Sequence, residues 1–355
     1  MKKKIAILQM GTGSGKSEIA IELIRRLEMK TLFIVDRIEL LNQTKKRIED
    51  CLGIEVGIIG HNKIDIKDVT VATIQTLLKH LEKFKPYLAE VRFVICDETH
   101  KVAASSYRTV ARYMTNTEYR LGISGTAYRD DGNDMMITSV VGYICHDMPA
   151  DKLIDKGWLM KPQVVFIENF NDPTMKKYDM LINQSEDYPD IYKFYIAENE
   201  KRNELIKDIV VKYPDKKILI LTKLIDHGVC LNNLIPGSKH LYGNTDKTER
   251  KKMFDEFVDG KYNILISTVS IFSEGIDIPA LDMIINASGN AGKIKTVQML
   301  GRVLRCMNGK SEAYYFDFID NLSRFTQGAS FKRMRSLKRE GHNVITKTKQ
   351  EVLGT

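Results

Sequence analysis

The chain has 355 residues, of which 43% are hydrophobic and 28% charged, and its 54 Lys and Arg against 46 Asp and Glu leave a formal net charge of +8. That length is too great for one ordinary core and suits two domains, while the balance of apolar and charged residues excludes a disordered or fibrous chain. No apolar run approaches the roughly 20 residues needed to cross a bilayer, and the five cysteines are odd in number and lack a C-x-x-C pair, so no membrane span, disulfide framework or zinc cluster is expected. The basic start is followed by too short an apolar stretch, residues 5–10, for a signal peptide, and a cytoplasmic location is expected.

Along the chain, short β-branched runs alternate with longer segments of helical period, the pattern of β-α units on a parallel sheet. Strands are expected at 5–10, 31–36, 69–73, 91–97 and 120–124, making one α/β domain over residues 1–148. Residues 149–162 are bracketed by Pro149 and Pro162 around Gly157 and read as a hinge. Strands at 163–168, 217–222, 263–268, 283–287 and 313–317 make a second α/β domain over 163–325, with the polar stretch 169–190 as a loop or insertion. Residues 326–355 form a basic C-terminal helix and tail. From Asn321 to Thr355 there are eight Lys/Arg against two Asp/Glu. Residues 330–339 suit an amphipathic helix packed on the second domain with its charges solvated; direct contact with nucleic acid is the alternative.

The strongest chemical signal is Met10-Gly11-Thr12-Gly13-Ser14-Gly15-Lys16-Ser17, placed after a strand and before a helical run. Glycines here let successive backbone N–H groups turn inward around phosphate oxygens. The helix N-terminus adds its positive dipole end, Lys16 can reach the terminal phosphates, and Ser17 can ligate Mg²⁺. A glycine-rich turn with an incidental Gly-Lys-Ser is the plainer alternative. Further along, the expected strand at 91–97 ends in Asp97-Glu98-Thr99-His100. At a parallel strand's carboxyl end, Asp97 can hold Mg²⁺ and Glu98 can orient an attacking water. Alone, such acidic residues are as often helix caps; with the phosphate loop they point to triphosphate hydrolysis.

With both elements in place, the chain resembles the superfamily 2 helicases and translocases. Val35-Asp36-Arg37-Ile38-Glu39-Leu40 with Gln43 resembles motif Ia of that family, Thr73-Ile74-Gln75-Thr76 motif Ib, and Ser124-Gly125-Thr126-Ala127 motif III. Ile220-Leu221-Thr222-Lys223 stands where motif IV belongs. Ser267-Thr268 followed by Ser273-Glu274-Gly275-Ile276-Asp277-Ile278-Pro279 resembles motif V, and Gln298-Met299-Leu300-Gly301-Arg302-Val303-Leu304-Arg305 motif VI. Gln298, Gly301, Arg302 and Arg305 also recur at helical spacing, which directs them to one face.

The resemblance implies two tandem RecA-like domains, each a mostly parallel sheet flanked by helices, with a nucleotide cleft between them and ATP and Mg²⁺ as cofactors. It implies catalytic roles for Lys16, Asp97, Glu98 and Gln298, with Arg302 and Arg305 as arginine fingers. Gly11, Thr12, Gly13, Ser14, Gly15, Lys16, Ser17, Gly275 and Asp277 would bind nucleotide, and Ser17 and Asp97 the metal. Nucleic acid would be held, without regard to sequence, by Arg37, Thr73, Gln75, Thr222, Lys223 and Thr268.

The wording of the motifs is closer to DNA motors than to RNA remodellers, and closest to phage-type branch-migration helicases. A monomeric motor on single-stranded, forked or branched DNA, acting in recombination or repair, is therefore expected. An RNA helicase and a strand clamp or annealing module with little catalysis are the alternatives. One departure concerns the adenine-reading aromatic and glutamine that the family carries upstream of the phosphate loop, since nine residues precede Met10. Either phosphates alone set nucleotide selectivity, or an N-terminal region lies outside this chain.

Overall fold

A computed structural model describes residues 4–10, 14–60, 62–98, 105–125, 142–169, 188–243, 245–272, 281–289, 292–304 and 312–354. The chain divides into two compact units, Met1–Leu153 and Ile154–Thr355.

In the first unit the strands are β1 (Lys4–Met10), β2 (Thr31–Val35), β3 (Gly57–Gly60), β4 (Lys63–Asp65), β5 (Val69–Thr73), β6 (Phe93–Asp97), β7 (Tyr119–Ser124) and β8 (Tyr143–Met148). They lie in the order β4-β3-β5-β2-β6-β7-β1-β8, and only the β3–β4 ladder is antiparallel. The helices are α1 (Lys16–Leu27), α2 (Ile38–Leu52), α3 (Ile74–Lys79), α4 (Leu81–Glu90), α5 (Ser105–Ala111) and α6 (Ala150–Asp155). Central strands bury both faces. Leu32 and Ile34 join Val94 and Cys96 in one core, while Phe33 and Val35 join Phe93 and Ile95 in the other. A strand covered on both sides has no polar face, which is why the interiors of β2 and β6 appear in the sequence as apolar runs.

The second unit contains β9 (Gln163–Asn169), β10 (Ile218–Thr222), β11 (Ser238–Leu241), β12 (Ile264–Thr268), β13 (Met283–Asn286), β14 (Tyr314–Asp320) and β15 (Val344–Lys347). Its helices are α7 (Tyr188–Tyr192), continued by a π-helix at Lys193–Ala197, then α8 (Glu200–Lys212), α9 (Ile225–Leu234), α10 (Lys247–Val258), α11 (Val269–Phe272), α12 (Lys293–Val303), α13 (Arg324–Arg339) and α14 (Lys349–Leu353). The sheet order is β11-β12-β10-β13-β14-β9-β15, with every ladder parallel. Strand for strand, this repeats β3-β5-β2-β6-β7-β1-β8 of the first unit, so the two units share the doubly wound fold that the resemblance implies. The equivalence also matches β10 with β2, β12 with β5 and β13 with β6. Residues at these strands' carboxyl ends thus occupy corresponding places in the two units.

The structure adds strands that periodicity does not show. β3, β4 and β11 are short, β8 is exposed along most of its length, and β15 pairs with β9 within the stretch expected to be a basic tail. That stretch is integral to the second unit. Helix α13 is present, but its charges are not all solvated: Arg333 is fully buried, with Nε and Nη2 donating to Asp317 at 2.8–3.2 Å. No helix among the described residues is long and apolar enough to cross a membrane.

Candidate nucleotide site and nucleic-acid face

The site begins where β1 gives way to α1. Gly15, the residue before the helix, has φ +84°, a left-handed conformation that a residue with a Cβ adopts only under strain. It provides no side-chain cap, so the first amides of α1 are left to face an anion. Ser14 Oγ is buried and has no protein partner, and Lys16 Nζ donates to the Met10 carbonyl at 3.0 Å, which folds the ammonium back over the loop. An orphaned hydroxyl, an uncapped helix start and a lysine directed at the same turn fit a polyphosphate. Gly11, Thr12 and Gly13 lie outside the described residues.

The facing wall is the end of β6. Burial pushes the Asp97 carboxyl up to about 7; the neighbouring Glu98 charge and Asp36 raise it too, while Lys16 and the Glu98 amide, which donates to Asp97 Oδ1 at 2.9 Å, oppose them. Lys16 and Asp97 thus act on one another, and the loop and the acidic pair form one site. Glu98 has φ +49°, a costly conformation for a side-chain-bearing residue, and such strain collects where function requires it. Ser17 and Asp97 are the residues that would hold Mg²⁺, hard oxygen donors suited to it. Sequence reasoning does not single out Asp36, although it lies in the Val35–Leu40 segment and its charge acts on Asp97.

A pH prediction follows from Asp97. In the folded, nucleotide-free protein its carboxyl keeps a proton up to about pH 7, whereas its ordinary value is 3.8. Its contribution to stability is therefore fully present below 3.8, is lost progressively as pH rises from there, and is gone above about 7. Asp97→Asn, which cannot ionise, should raise the thermal unfolding midpoint at pH 8 and change it far less at pH 4. An equal shift at both pH values would show that the buried charge is not the cause.

A cavity of about 420 Å³ opens beside Asp97, lined by Ile34, Asp36, Gln75, Leu78, Tyr107 and others. It places Gln75, one of the expected nucleic-acid contacts, on the same cavity as Asp97. Gln75 itself is exposed and donates through Nε2 to the Asp36 carbonyl at 3.0 Å. The Arg37 guanidinium lies 3.6 Å from the Asp36 carboxylate.

The three threonines among the expected contacts are buried. Thr73, Thr222 and Thr268 are 2%, 0% and 4% exposed. Thr73 Oγ1 is shared with Thr76 Oγ1 at 2.8 Å and Thr268 Oγ1 with Ser270 Oγ at 3.1 Å, while Thr222 Oγ1 is buried with no protein partner. Each ends a strand in the interior of its sheet. Lys223, one residue beyond β10, is exposed and lies over the Tyr192 ring, 4.4 Å from its centroid.

In the second unit Gln298 and Arg302 lie four residues apart on α12, which buries Val297, Leu300 and Val303. Arg305, Gly275 and Asp277 lie outside the described residues. The turn that leads from β13 towards α12 is held from several directions. Asn286 Nδ2 donates to Tyr315 Oη and Asp317 Oδ2, Ser288 N and Oγ donate to Asn286 Oδ1, Arg202 Nη1 donates to the Ala287 carbonyl, and Tyr192 Oη donates to the Ser288 carbonyl at 2.7 Å. Arg202 also pairs with buried Asp320 at 2.8 Å. The turn after β13, which corresponds to the end of β6 in the first unit, is thereby held by the second unit's own side chains. Sequence reasoning missed this network, because its members are separated by up to 118 residues and carry no local spacing.

Comparison with known proteins agrees with this geometry. Residues 1–129 match the family described as type III restriction enzyme, res subunit, and residues 200–307 the helicase conserved C-terminal domain. The chain is 26% identical to the DNA 3'-5' translocase XPB2 of Sulfurisphaera tokodaii, covering 96% of this chain and 82% of that protein. It is also 26% identical to the ATP-dependent DNA helicase uvsW of Enterobacteria phage T4, over 92% of this chain and 67% of the relative. Across the first curated relatives, it spans between 48% and 82% of their lengths. Among solved structures, Saccharomyces cerevisiae Dbp5 bound to RNA and ADP BeF3 superposes with a TM-score of 0.65 at 15% identity, covering 98% of this chain and 86% of that one. At that identity it supports the fold alone.

Proposed function

The chain belongs to superfamily 2 of the helicases and translocases, whose members are ATP hydrolases, and from that footing we propose that it is an ATP-driven DNA motor that separates or shifts strands in recombination or repair. The observation that carries the reading is the convergence of Lys16 with Asp97 and Glu98 at the carboxyl edge of one sheet. A module that only clamps or anneals strands has no need of a strained glutamate beside a buried aspartate and a phosphate loop. In this reading Glu98 orients and deprotonates the attacking water, Lys16 and the α1 amides hold the phosphates, and Gln298, Arg302 and Arg305 serve the charge that develops on the transferred phosphoryl group. Ser17 and Asp97 would hold Mg²⁺, which would neutralise charge on the phosphate oxygens. Half-buried Arg37 and exposed Gln75 and Lys223 serve the nucleic-acid backbone, with Gly275 and Asp277 assigned to the nucleotide by resemblance alone. DNA is favoured over RNA by the motif wording and by relatives named as DNA helicases and translocases.

The test is phosphate release with no nucleic acid and with single-stranded DNA, forked DNA or RNA. Stimulation by DNA is expected, strongest on branched substrates. RNA-only stimulation would transfer the assignment to the RNA helicases, and no stimulation by any of them would end the motor reading. Contacts made to phosphates also set a salt dependence, so a fourfold rise in salt should weaken DNA binding at least about tenfold. Affinity that is flat with salt, measured by fluorescence anisotropy, would argue against a grip on the phosphate backbone.

A further inference from the structure

Tyr192 is the last residue of α7 and the start of the π-helix. Its ring is buried, yet its two ends meet two features of different purpose. One face of the ring carries the Lys223 ammonium, 4.4 Å from the centroid. The hydroxyl donates to the Ser288 carbonyl at 2.7 Å, in the turn between β13 and α12. The contact with that turn is close. Gly289 has φ +58°, and a Cβ built there would lie 3.4 Å from Ile196 of the π-helix. Burial also lowers the Lys223 pKa, as expected for an ammonium partly withdrawn from water.

The rest of the turn is rigid. Asn286, Ala287 and Ser288 are tied to Asp317, Tyr315 and Arg202, and those groups are fully buried. Tyr192 is thus the partner of this turn that also touches an exposed cation. A phosphate approaching Lys223 competes with the ring for the ammonium, because a charge-assisted contact with an anion is stronger than an ammonium–ring contact. Single-turn π-helices within helical segments are recurrently found at functional sites, and this one follows Tyr192 directly.

Resting on the motor reading above, we propose that Tyr192 is a positioning residue that transmits occupancy of Lys223 by a nucleic-acid phosphate to the β13–α12 turn, and so sets the helix of Gln298 and Arg302 for hydrolysis. The ring senses the cation and the hydroxyl holds the turn; nucleic-acid stimulation of hydrolysis passes through both.

Tyr192→Phe keeps the ring and its volume and removes only the bond to Ser288. With oligodeoxythymidine as the probe, its affinity for the strand is expected to match wild type. The ratio of stimulated to unstimulated phosphate release is expected to fall about three- to thirtyfold, the range for a residue carrying coupling between two sites. A Tyr192→Phe protein stimulated as fully as wild type overturns the proposal, as does one whose loss of stimulation merely follows a loss of strand affinity. If that variant does not fold, Lys223→Met is measured at saturating oligonucleotide. Stimulation should drop although the strand is fully bound; stimulation equal to wild type would overturn the path. Failure of the motor reading gives a different result: wild type itself is then not stimulated.

Discussion

Glu98→Gln is expected to reduce kcat for ATP hydrolysis about 10²- to 10⁴-fold, the usual contribution of a positioned general base, while ATP binding is retained or improved. The two effects arise from one residue. As a base, Glu98 must accept a proton from the attacking water, and an amide of the same size cannot. As a charge, Glu98 is the second cause, after burial, of the elevated Asp97 pKa. Neutralising it lets Asp97 ionise at lower pH and present a carboxylate to Mg²⁺ more readily. The variant should therefore trap a nucleotide-loaded protein that turns over very slowly. Single-turnover phosphate release together with binding of a fluorescent ATP analogue checks both halves. Near wild-type turnover would move the base elsewhere, and lost binding would mean that Glu98 builds the pocket instead of acting in it. Because Glu98 sits at φ +49°, glycine at this position is a useful control, since it relieves the backbone strain while also removing the base.

The second large effect concerns stability. Arg333→Ala should destabilise the second unit by about 3–5 kcal/mol, the usual cost of removing one partner from a buried ion pair. Arg333 and Asp317 are fully buried, and Asp320, 3.9 Å from the Arg333 guanidinium, is 2% exposed at its side chain. The surrounding carboxylates raise the Arg333 pKa still further above its already high value, against the opposing effect of burial, so the guanidinium stays charged at all working pH values. Removing it leaves Asp317 facing Tyr315, Asn286 and the Phe318 amide without a counter-charge. A urea denaturation curve should show the loss. The double variant Arg333→Met with Asp317→Asn should recover most of it, since neutral groups of similar volume avoid the stranded charge. A single variant as stable as wild type would show that water or a neighbouring cation reaches Asp317. Because Asp317 also binds Asn286 at the β13–α12 turn, partly folded Arg333→Ala protein should lose hydrolysis as well. That loss should be matched by a lower unfolding midpoint, unlike the selective loss expected for Tyr192→Phe.

The sequence was informative where structure is decided over a few neighbouring residues. The phosphate loop is legible because its work is done by backbone amides, and Gly15 marks the place where the chain must turn left-handed. Central strands such as β2 and β6 are legible because burial on both faces leaves no polar position to break the run. The acidic pair is legible because it ends one of those strands. Other features depended on partners far along the chain. The tail appeared basic and solvated, yet Arg333 is neutralised by Asp317 on β14, and β15 finds its place only beside β9. Thr73, Thr222 and Thr268 are singled out by resemblance, and their burial shows only in the assembled sheets. Tyr192 and Ser288, 96 residues apart, have no pattern that periodicity could register. A residue's own chemistry and near neighbours specified which groups could meet a nucleotide. Burial and long-range charge pairing, which exist only once the sheets are assembled, decided which of them can reach one and what holds them in place.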